Sequence, residues 1–260
     1  MLTVISHVYN EEYLLPWWLE HHTKMFDHGV IIDYHSTDSS LQIIRDMAPH
    51  WEIVTSRVQE FDAYTADLQV MEIEQRTEGW KIALNTTEFL FHKDIKGFLK
   101  RYSQPYSLQC TGVYLTDPFS LINQEPDPNQ PLLKQRVFGT LESVALVPGC
   151  MPARGRFLHS FSSGEYTIGR HTSSHPSQKI NNLFCVWTGF APMTQRFLDR
   201  KLQIRPKIPA AQIAAGAGIS HASNMEELIA GRFGWLQYEK HIGNLRDIPD
   251  YNEVWSSWYD

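Results

Sequence analysis

Apolar and polar positions alternate in blocks along the first ninety residues, and the blocks predict strands and helices in turn. Thr3 to Val8 is a short β-branched apolar run, and it ends in the polar turn Tyr9-Asn10-Glu11-Glu12. Proline is tolerated only in the first turn of a helix, so Pro16 marks a helix start. Leu15, Trp18, Leu19, His22 and Phe26 follow at one-face helical spacing, and Gly29 stands where a helix closes. Val30-Ile31-Ile32 has no polar alternation, which predicts a strand buried on both faces, as parallel strands are. It runs straight into Asp33 through Ser40, a cluster of short polar groups.

The pattern repeats downstream. Leu41 to Met47 is a short helix behind a Ser39-Ser40 cap, and Trp51 to Thr55 is a third strand. Phe61 to Arg76 is a long helix, with Tyr64, Leu68 and Met71 on one side and Asp67, Glu74 and Glu78 on another, closed by Gly79. Trp80 to Leu84 is a fourth strand. It stops at Asn85-Thr86-Thr87-Glu88, and Phe89-Leu90-Phe91 follows. A β-α-β-α-β-α-β series with right-handed crossovers predicts an α/β fold: a Rossmann-type mixed, mostly parallel sheet flanked by helices on both faces.

Beyond residue 95 the pattern is less regular. Ile95 to Tyr102 is a short helix, Cys110 to Leu115 a strand, and 116–135 a long polar loop. Ser143 to Val147 and Arg156 to His159 are short strand-like runs. Residues 162–182 are polar, and Phe184 to Trp187 is another strand. Thr194 to Ile204 is a basic helix carrying Arg196, Arg200 and Lys201. An Ala/Gly-rich piece, Ala210 to Ile219, leads to His221. A helix starts at Met225, and the tail is aromatic and acidic. There is no internal repeat and no linker, so one domain over 1–260 is expected.

Composition narrows the function. The 42% hydrophobic content is ample for a core, and 8 Trp with 11 Tyr are expected mainly as packing residues. A net charge of −6 with no basic stripe argues against nucleic acid as a partner. Three cysteines, Cys110, Cys150 and Cys185, are odd in number and far apart, which predicts free thiols in a reducing compartment. No run reaches the length of a transmembrane segment, and the start lacks the order of a signal peptide, so a cytoplasmic protein is expected.

In a parallel α/β sheet, ligands bind at the carboxyl ends of the strands. The clusters Asn10 to Glu12 and Asp33 to Asp38 end adjacent strands, so they should meet at one rim. Carboxylates there suit ribose hydroxyls or the N–H edge of a base. The absence of a Gly-rich phosphate loop argues against a dinucleotide or P-loop site. A nucleotidyltransferase would need a Gly/Arg/Lys-rich first turn, and this one is acidic.

These residues carry a resemblance. His7-Val8-Tyr9-Asn10-Glu11-Glu12 with Leu15-Pro16, the pair His21-His22, Ile32-Asp33 with Ser36-Thr37-Asp38, and Gly79-Trp80 ahead of Glu88-Phe89-Leu90 resemble the family-2-like glycosyltransferases of the GT-A fold. A weaker likeness, in Tyr166, Gly169-Arg170-His171 and Ala191-Pro192, extends into the second half. The resemblance implies a GT-A-like sheet with a nucleotide-binding half over 1–100 and an irregular acceptor-side half over 101–260. It implies transfer of a hexosyl or pentosyl group from a nucleotide-diphosphate sugar, a UDP-sugar being favoured. The acceptor would be a hydroxyl of a glycan or glycoconjugate, with inversion, as in glycan biosynthesis. Tyr9, Asn10 and Glu12 would flank base and ribose, Asp33 would accept from the base N–H, and Ser36 and Asp38 would complete the rim. Asn10, Ser36 and Asp38 are also ordinary turn and cap residues.

The chain departs from the family at its metal motif. The family's Asp-any-Asp holds a divalent ion that bridges the diphosphate. Here Asn85 and Thr87 are neutral, and only Glu88 remains acidic. Three readings stay open: a metal-independent enzyme with Arg or Lys on the diphosphate, Mn²⁺ or Mg²⁺ held by Glu88 with His171 or His221, or a catalytically impaired sugar- or nucleotide-binding protein. Glu88 is the candidate base or metal ligand, and Asp117, ahead of Pro118, is a second base candidate or a turn residue. Arg170-His171 and the Arg196/Arg200/Lys201 helix are candidates for the diphosphate, the helix being alternatively a solvated basic face. His171 and His175 are four apart, but Ser, Thr and Pro around them disfavour a helix. His21 and His22 are expected to pack and hydrogen-bond rather than bind a metal.

Overall fold

The computed structural model describes residues 1–142, 155–214, 224–236 and 242–260. Strand β1 (Leu2–Val8) lies inside the sheet, and helix α1 (Leu15–His22) returns the chain to β2 (His28–Asp33). Then come α2 (Ser40–Met47), β3 (Glu52–Thr55), α3 (Ala63–Gln75) and β4 (Trp80–Ala83). Strands β3-β2-β1-β4 are neighbours in that order and all parallel, the doubly wound core that the pattern predicts.

The sequence alternation explains the two faces. Val4, Val8 and Ile31 join Leu14, Leu15, Trp18 and Ile44 in the larger core, under α1 and α2. Ile5, Val30, Ile32 and Ala83 point the other way, onto Val70 and Ile73 of α3. Helices therefore cover both faces of the parallel strands.

The remaining elements enlarge the sheet. After β5 (Glu88–Phe91) and α4 (Ile95–Leu99) comes the long β6 (Ser107–Thr116). A turn of 3-10 helix, Phe119–Leu121, and α5 (Leu132–Gln135) interrupt the predicted loop. Strands β7 (Phe138–Leu141), β8 (Phe157–His159) and β9 (Gln178–Phe190) follow, then α6 (Gln195–Leu202), α7 (Ala210–Ala214), a helix over Met225–Leu236, β10 (Gly243–Asn244) and a helix over Pro249–Tyr259. β8 joins the halves, antiparallel to both β4 and β6. β9 runs parallel to β6 and antiparallel to β5. The sheet is thus mixed, with a parallel core and a largely antiparallel extension.

Several expectations need correction. Gly29 closes no helix. α1 ends at His22, where Thr23 donates its hydroxyl to Leu19 O at 2.8 Å, and Gly29 lies inside β2. Its role is close approach: a Cβ there would sit 2.2 Å from the Trp51 ring. Gly29→Ala is therefore expected to lower unfolding free energy by about 1–3 kcal/mol, the range for forced overpacking. Urea denaturation checks this, and an unchanged midpoint would show that Trp51 moves aside freely.

Helix α3 turns its acidic side inward. Tyr64 is 60% exposed, whereas Asp67, Gln69 and Glu74 are buried. Polar groups go inward only with partners, and all three have them. Asp67 pairs with Arg170 and accepts from Gly169 N at 2.7 Å. Glu74 accepts from Tyr166 Oη at 2.9 Å and Gly164 N at 2.6 Å, and lies 3.1 Å from His159 Nε2. Gln69 donates to Thr55 O and accepts from Arg57 N. The polar 162–175 segment supplies most of these partners.

Strand β7 and the Pro249–Tyr259 helix, which buries Tyr251, Val254 and Trp255, were also not expected from the pattern. β9 runs well beyond Phe184–Trp187 in both directions. Cys110 and Cys185 are buried and outside any disulfide, and burial pushes the Cys110 thiol up. The Ser143–Val147 run, Cys150, His221 and the end of the Ala/Gly-rich piece lie outside the described residues. Among the described residues no helix is long and apolar enough to cross a membrane.

Candidate functional site

Register brings the polar turns together. Val8 pairs with Asp33, so β1 and β2 end level, and the turns that leave them touch. Asn10 sits at φ 50, a left-handed conformation that Asn tolerates better than most residues. Its N–H donates to Ser36 Oγ at 3.1 Å, and its Oδ1 accepts from Thr37 N at 2.8 Å. Glu11 N donates to Ser40 Oγ at 2.8 Å and Glu12 N to Asp38 Oδ2 at 3.0 Å. In return, Ser39 N donates to Glu12 Oε2 at 3.0 Å, and Ser36 N to Asp33 Oδ1 at 3.0 Å. Ser40 thus ties two turns together, while Ser39, the helix cap, makes no capping side-chain bond. Asn10, Glu12, Asp33, Ser36 and Asp38 form one rim, and each also holds that rim in shape.

An aromatic and charged patch adjoins the rim. Lys207 Nζ lies 4.1 Å from the centroid of the Tyr9 ring and donates to Tyr34 O at 2.8 Å. Burial pulls the Lys207 ammonium down, and the Asp33 carboxylate draws it back up. The basic helix α6 also packs here and is not simply a solvated face. Arg200 Nη1 meets Glu11 Oε1 at 2.5 Å, and both side chains are largely buried. Burial raises the Glu11 carboxyl, and Arg200 opposes that shift. The Arg196 guanidinium lies 4.9 Å above the Tyr13 ring. Arg200 is therefore committed to the first turn, and Arg196 to an aromatic face.

The third strand end forms a second cluster. Ile5 pairs with Ala83 and accepts from Leu84 N, so the register continued by two residues brings Asn85 level with His7. The 85–88 turn closes on itself: Glu88 N donates to Asn85 O, and Asn85 N donates to Glu88 Oε2, both at 2.9 Å. Trp18 Nε1 donates to Glu88 O at 2.9 Å. Thr87 O accepts from both the N–H and the hydroxyl of Thr188.

Arg156, which the sequence marks only as the start of a strand-like run, dominates this cluster. Its Nε donates to Glu88 Oε2 at 2.8 Å and its Nη2 to Glu88 Oε1 at 2.7 Å, a two-pronged ion pair. Nη1 donates to Gly169 O at 3.0 Å and Arg170 O at 2.9 Å, and lies 3.4 Å from His171 Nδ1. Glu88 is 0% exposed and Arg156 1%. Burial works against the Arg156 charge, but the Glu88 carboxylate outweighs it and raises the guanidinium. Arg170 donates to Asn85 Oδ1 at 2.9 Å and pairs with Asp67. Burial, with help from Arg170, lowers His7 to about 3, so its ring is neutral.

The structure thus brings Asn85, Thr87, Glu88, Arg170 and His171 together with His7, Asp67 and Arg156, while Lys207 lies at the Tyr9 patch. Only the two strand ends were legible beforehand; a single arginine ahead of a short strand carries no sequence signal. Asp117 stands apart, paired with Arg136 at 3.1 Å and accepting from Met193 N at 2.7 Å. His175 stacks on Phe161 at 3.8 Å and bonds Ser163 O, away from the cluster. His21 and His22 hydrogen-bond Leu90 and Trp18 backbone inside the core.

The donor set does not suit a hard divalent ion. Such ions want several carboxylate or carbonyl oxygens free to turn toward them. Both Glu88 oxygens hold a guanidinium, Asn85 Oδ1 holds another, and His171 faces Arg156. No group of three or more His, Cys, Asp or Glu side chains converges among the described residues.

No family model matches the chain, and no curated protein matches it in sequence. Among solved structures, it is similar to S. aureus TarS, with TM-score 0.40 and 12% identity over 79% of this chain and 39% of that one. A structure of TarS with UDP-GlcNAc gives TM-score 0.38 and 11% identity, covering 79% and 66%. Glucosyl-3-phosphoglycerate synthase from Mycobacterium tuberculosis, in complex with Mn²⁺, UDP-glucose and phosphoglyceric acid, gives 0.36 and 14%, covering 70% and 69%. The chain therefore spans well under half the length of the full TarS it matches. These are likenesses of architecture, and the functional reading rests on the residues above.

Proposed function

We propose that this chain is a glycosyltransferase that binds a nucleotide-diphosphate sugar where β1, β2 and β4 end, and moves the sugar to an acceptor hydroxyl. The observation that carries this reading is the single rim built by two level strand ends, with Asp33 and the Tyr9 ring on it and the Asn85 turn beside it. Ligands of open α/β sheets bind at such ends. In this reading Tyr9 offers a face to the base and Asp33 accepts from its N–H, which suits uracil. Asn10, Glu12, Ser36 and Asp38 shape the ribose side. Asn85, Thr87, Arg170 and His171 lie toward the diphosphate and sugar. The acceptor is a hydroxyl of a glycan or glycoconjugate and the transfer is inverting, as the family resemblance implies, and the buried thiols suit a reducing compartment.

Calorimetric titration with UDP and GDP, each with and without Mn²⁺, tests the reading. UDP is expected to bind, and Asp33→Ala to weaken it by about 1–3 kcal/mol, the usual loss for one buried hydrogen-bond partner. Binding of neither nucleotide under either condition overturns the assignment, and an unchanged affinity in Asp33→Ala removes Asp33 from the site.

One observation favours a second reading, a sugar- or nucleotide-binding protein without turnover: the carboxylate best placed to act as a base is held by Arg156. Slow hydrolysis of UDP-sugars that disappears in Glu88→Gln, with UDP affinity kept, selects the enzyme. UDP-sugar binding without turnover against a broad set of acceptors selects the binding protein.

A further inference from the structure

We propose that Arg156 is a permanent counter-cation that replaces a divalent ion at the Asn85–Glu88 turn, so that nucleotide diphosphates bind here without metal; this rests on the nucleotide-sugar reading above. The turn is where a strand-end carboxylate would be expected to hold an ion, yet Glu88 spends both oxygens on one guanidinium. The guanidinium is satisfied on its remaining side as well. Gly169 and Arg170, at φ 85 and 58, are consecutive left-handed residues, and both of their carbonyls accept from Arg156 Nη1. Carbonyl dipoles aimed at a site favour positive charge there. A non-glycine residue in this conformation is costly and persists only where its surroundings hold it.

The surroundings fit a cation supplied by the chain. The turn is fastened from below by Asp67, which accepts from Gly169 N and pairs with Arg170. Arg170 in turn reaches Asn85 Oδ1, the first of the two positions that are neutral here. Two guanidinium groups therefore address the 85–88 turn from within the protein, both buried and both in ion pairs. An ion entering at Glu88 would have to strip Arg156 of its partner and strand a buried guanidinium, the arrangement that proteins tolerate least. Arg156 is a positioning residue: it orients Glu88, which holds Asn85 N and so the turn that faces the proposed ligand.

The test separates this proposal from the nucleotide reading. Mn²⁺ binding to the full chain alone is followed by electron paramagnetic resonance, and UDP binding is measured calorimetrically in EDTA and in saturating Mn²⁺. The wild type is expected to show no Mn²⁺ site that depends on Glu88, and UDP affinities within twofold in the two media. Arg156→Met releases Glu88 and is expected to make UDP affinity metal-dependent, while Arg156→Lys keeps the wild-type behaviour. Where Arg156→Met does not fold, the wild-type pair of titrations and Glu88→Gln decide. A tenfold gain in UDP affinity with Mn²⁺, or a stoichiometric Mn²⁺ site abolished by Glu88→Gln, overturns the proposal and leaves the nucleotide reading standing. If UDP binds in neither medium, the nucleotide reading fails, and the resonance measurement on the protein alone still decides whether Arg156 keeps metal from Glu88.

Discussion

Arg156→Met is expected to lower the unfolding free energy by about 3–5 kcal/mol, the cost of removing one partner of a buried ion pair. The loss arises because Glu88 stays behind, fully buried, with its charge uncompensated. It also unfastens three pieces of chain: β8 through Arg156, the Asn85 turn through Glu88, and the Gly169-Arg170 turn through its two carbonyls. The double variant Arg156→Met/Glu88→Met removes both charges and is expected to recover most of the loss, since apolar replacements of a whole buried pair are commonly near neutral. Urea unfolding followed by tryptophan fluorescence measures the cycle. A loss in the double variant equal to the sum of the losses in Arg156→Met and Glu88→Met alone would show that the pair is not energetically coupled.

Acidification is expected to cost about 5 kcal/mol of stability between pH 7.5 and pH 5.5. Four buried histidines account for it. Burial lowers His21 to about 4, against an opposing hydrogen bond to Leu90 O. It lowers His22 well below the ordinary value, with His21 adding to the effect, and lowers His92 to about 4. The tautomer of His22 follows from its partners: Leu90 N donates to Nε2, so Nδ1 carries the proton and donates to Trp18 O. A second proton has nowhere to go without breaking the Leu90 bond. Each group is neutral when folded and titrates near 6.5 when unfolded, so below 6.5 the unfolded chain binds more protons. Stability is fully present above about pH 6.5 and falls through the window down to about 4. Each group contributes about 1.4 kcal/mol for each pH unit. His7, lowered to about 3, acts in the same direction. Total stabilities of about 5–15 kcal/mol make this a large fraction. Urea midpoints at the two pH values check it, and equal midpoints would mean that these rings are protonated inside the fold.

Much of the rim at the ends of β1 and β2 was legible early because it depends on local pattern. A β-branched run, a proline at a helix start and a polar strand end each encode their own conformation. Parallel register then follows from burial, and it makes Val8 and Asp33 neighbours. Helix α3 shows the limit of such reasoning. Its period was readable, but which face turns inward depended on Arg170, His159, Tyr166 and the 164–169 backbone, roughly ninety to a hundred residues away. The basic helix α6 had the same fate, since only packing against the first turn reveals that Arg200 belongs to Glu11.

By itself the sequence determined the parallel β-α core, the meeting of the Asn10 and Asp33 turns, and the neutral residues Asn85 and Thr87 ahead of Glu88. Local propensity and side-chain period suffice for these. Only the tertiary structure decided what became of Glu88. The carboxylate lies on β5 and its guanidinium beside β8, 68 residues apart, and nothing in the order of residues marks them as partners. A buried charge takes whichever counter-charge the fold brings within reach, because the low dielectric inside leaves it no other means of stabilisation.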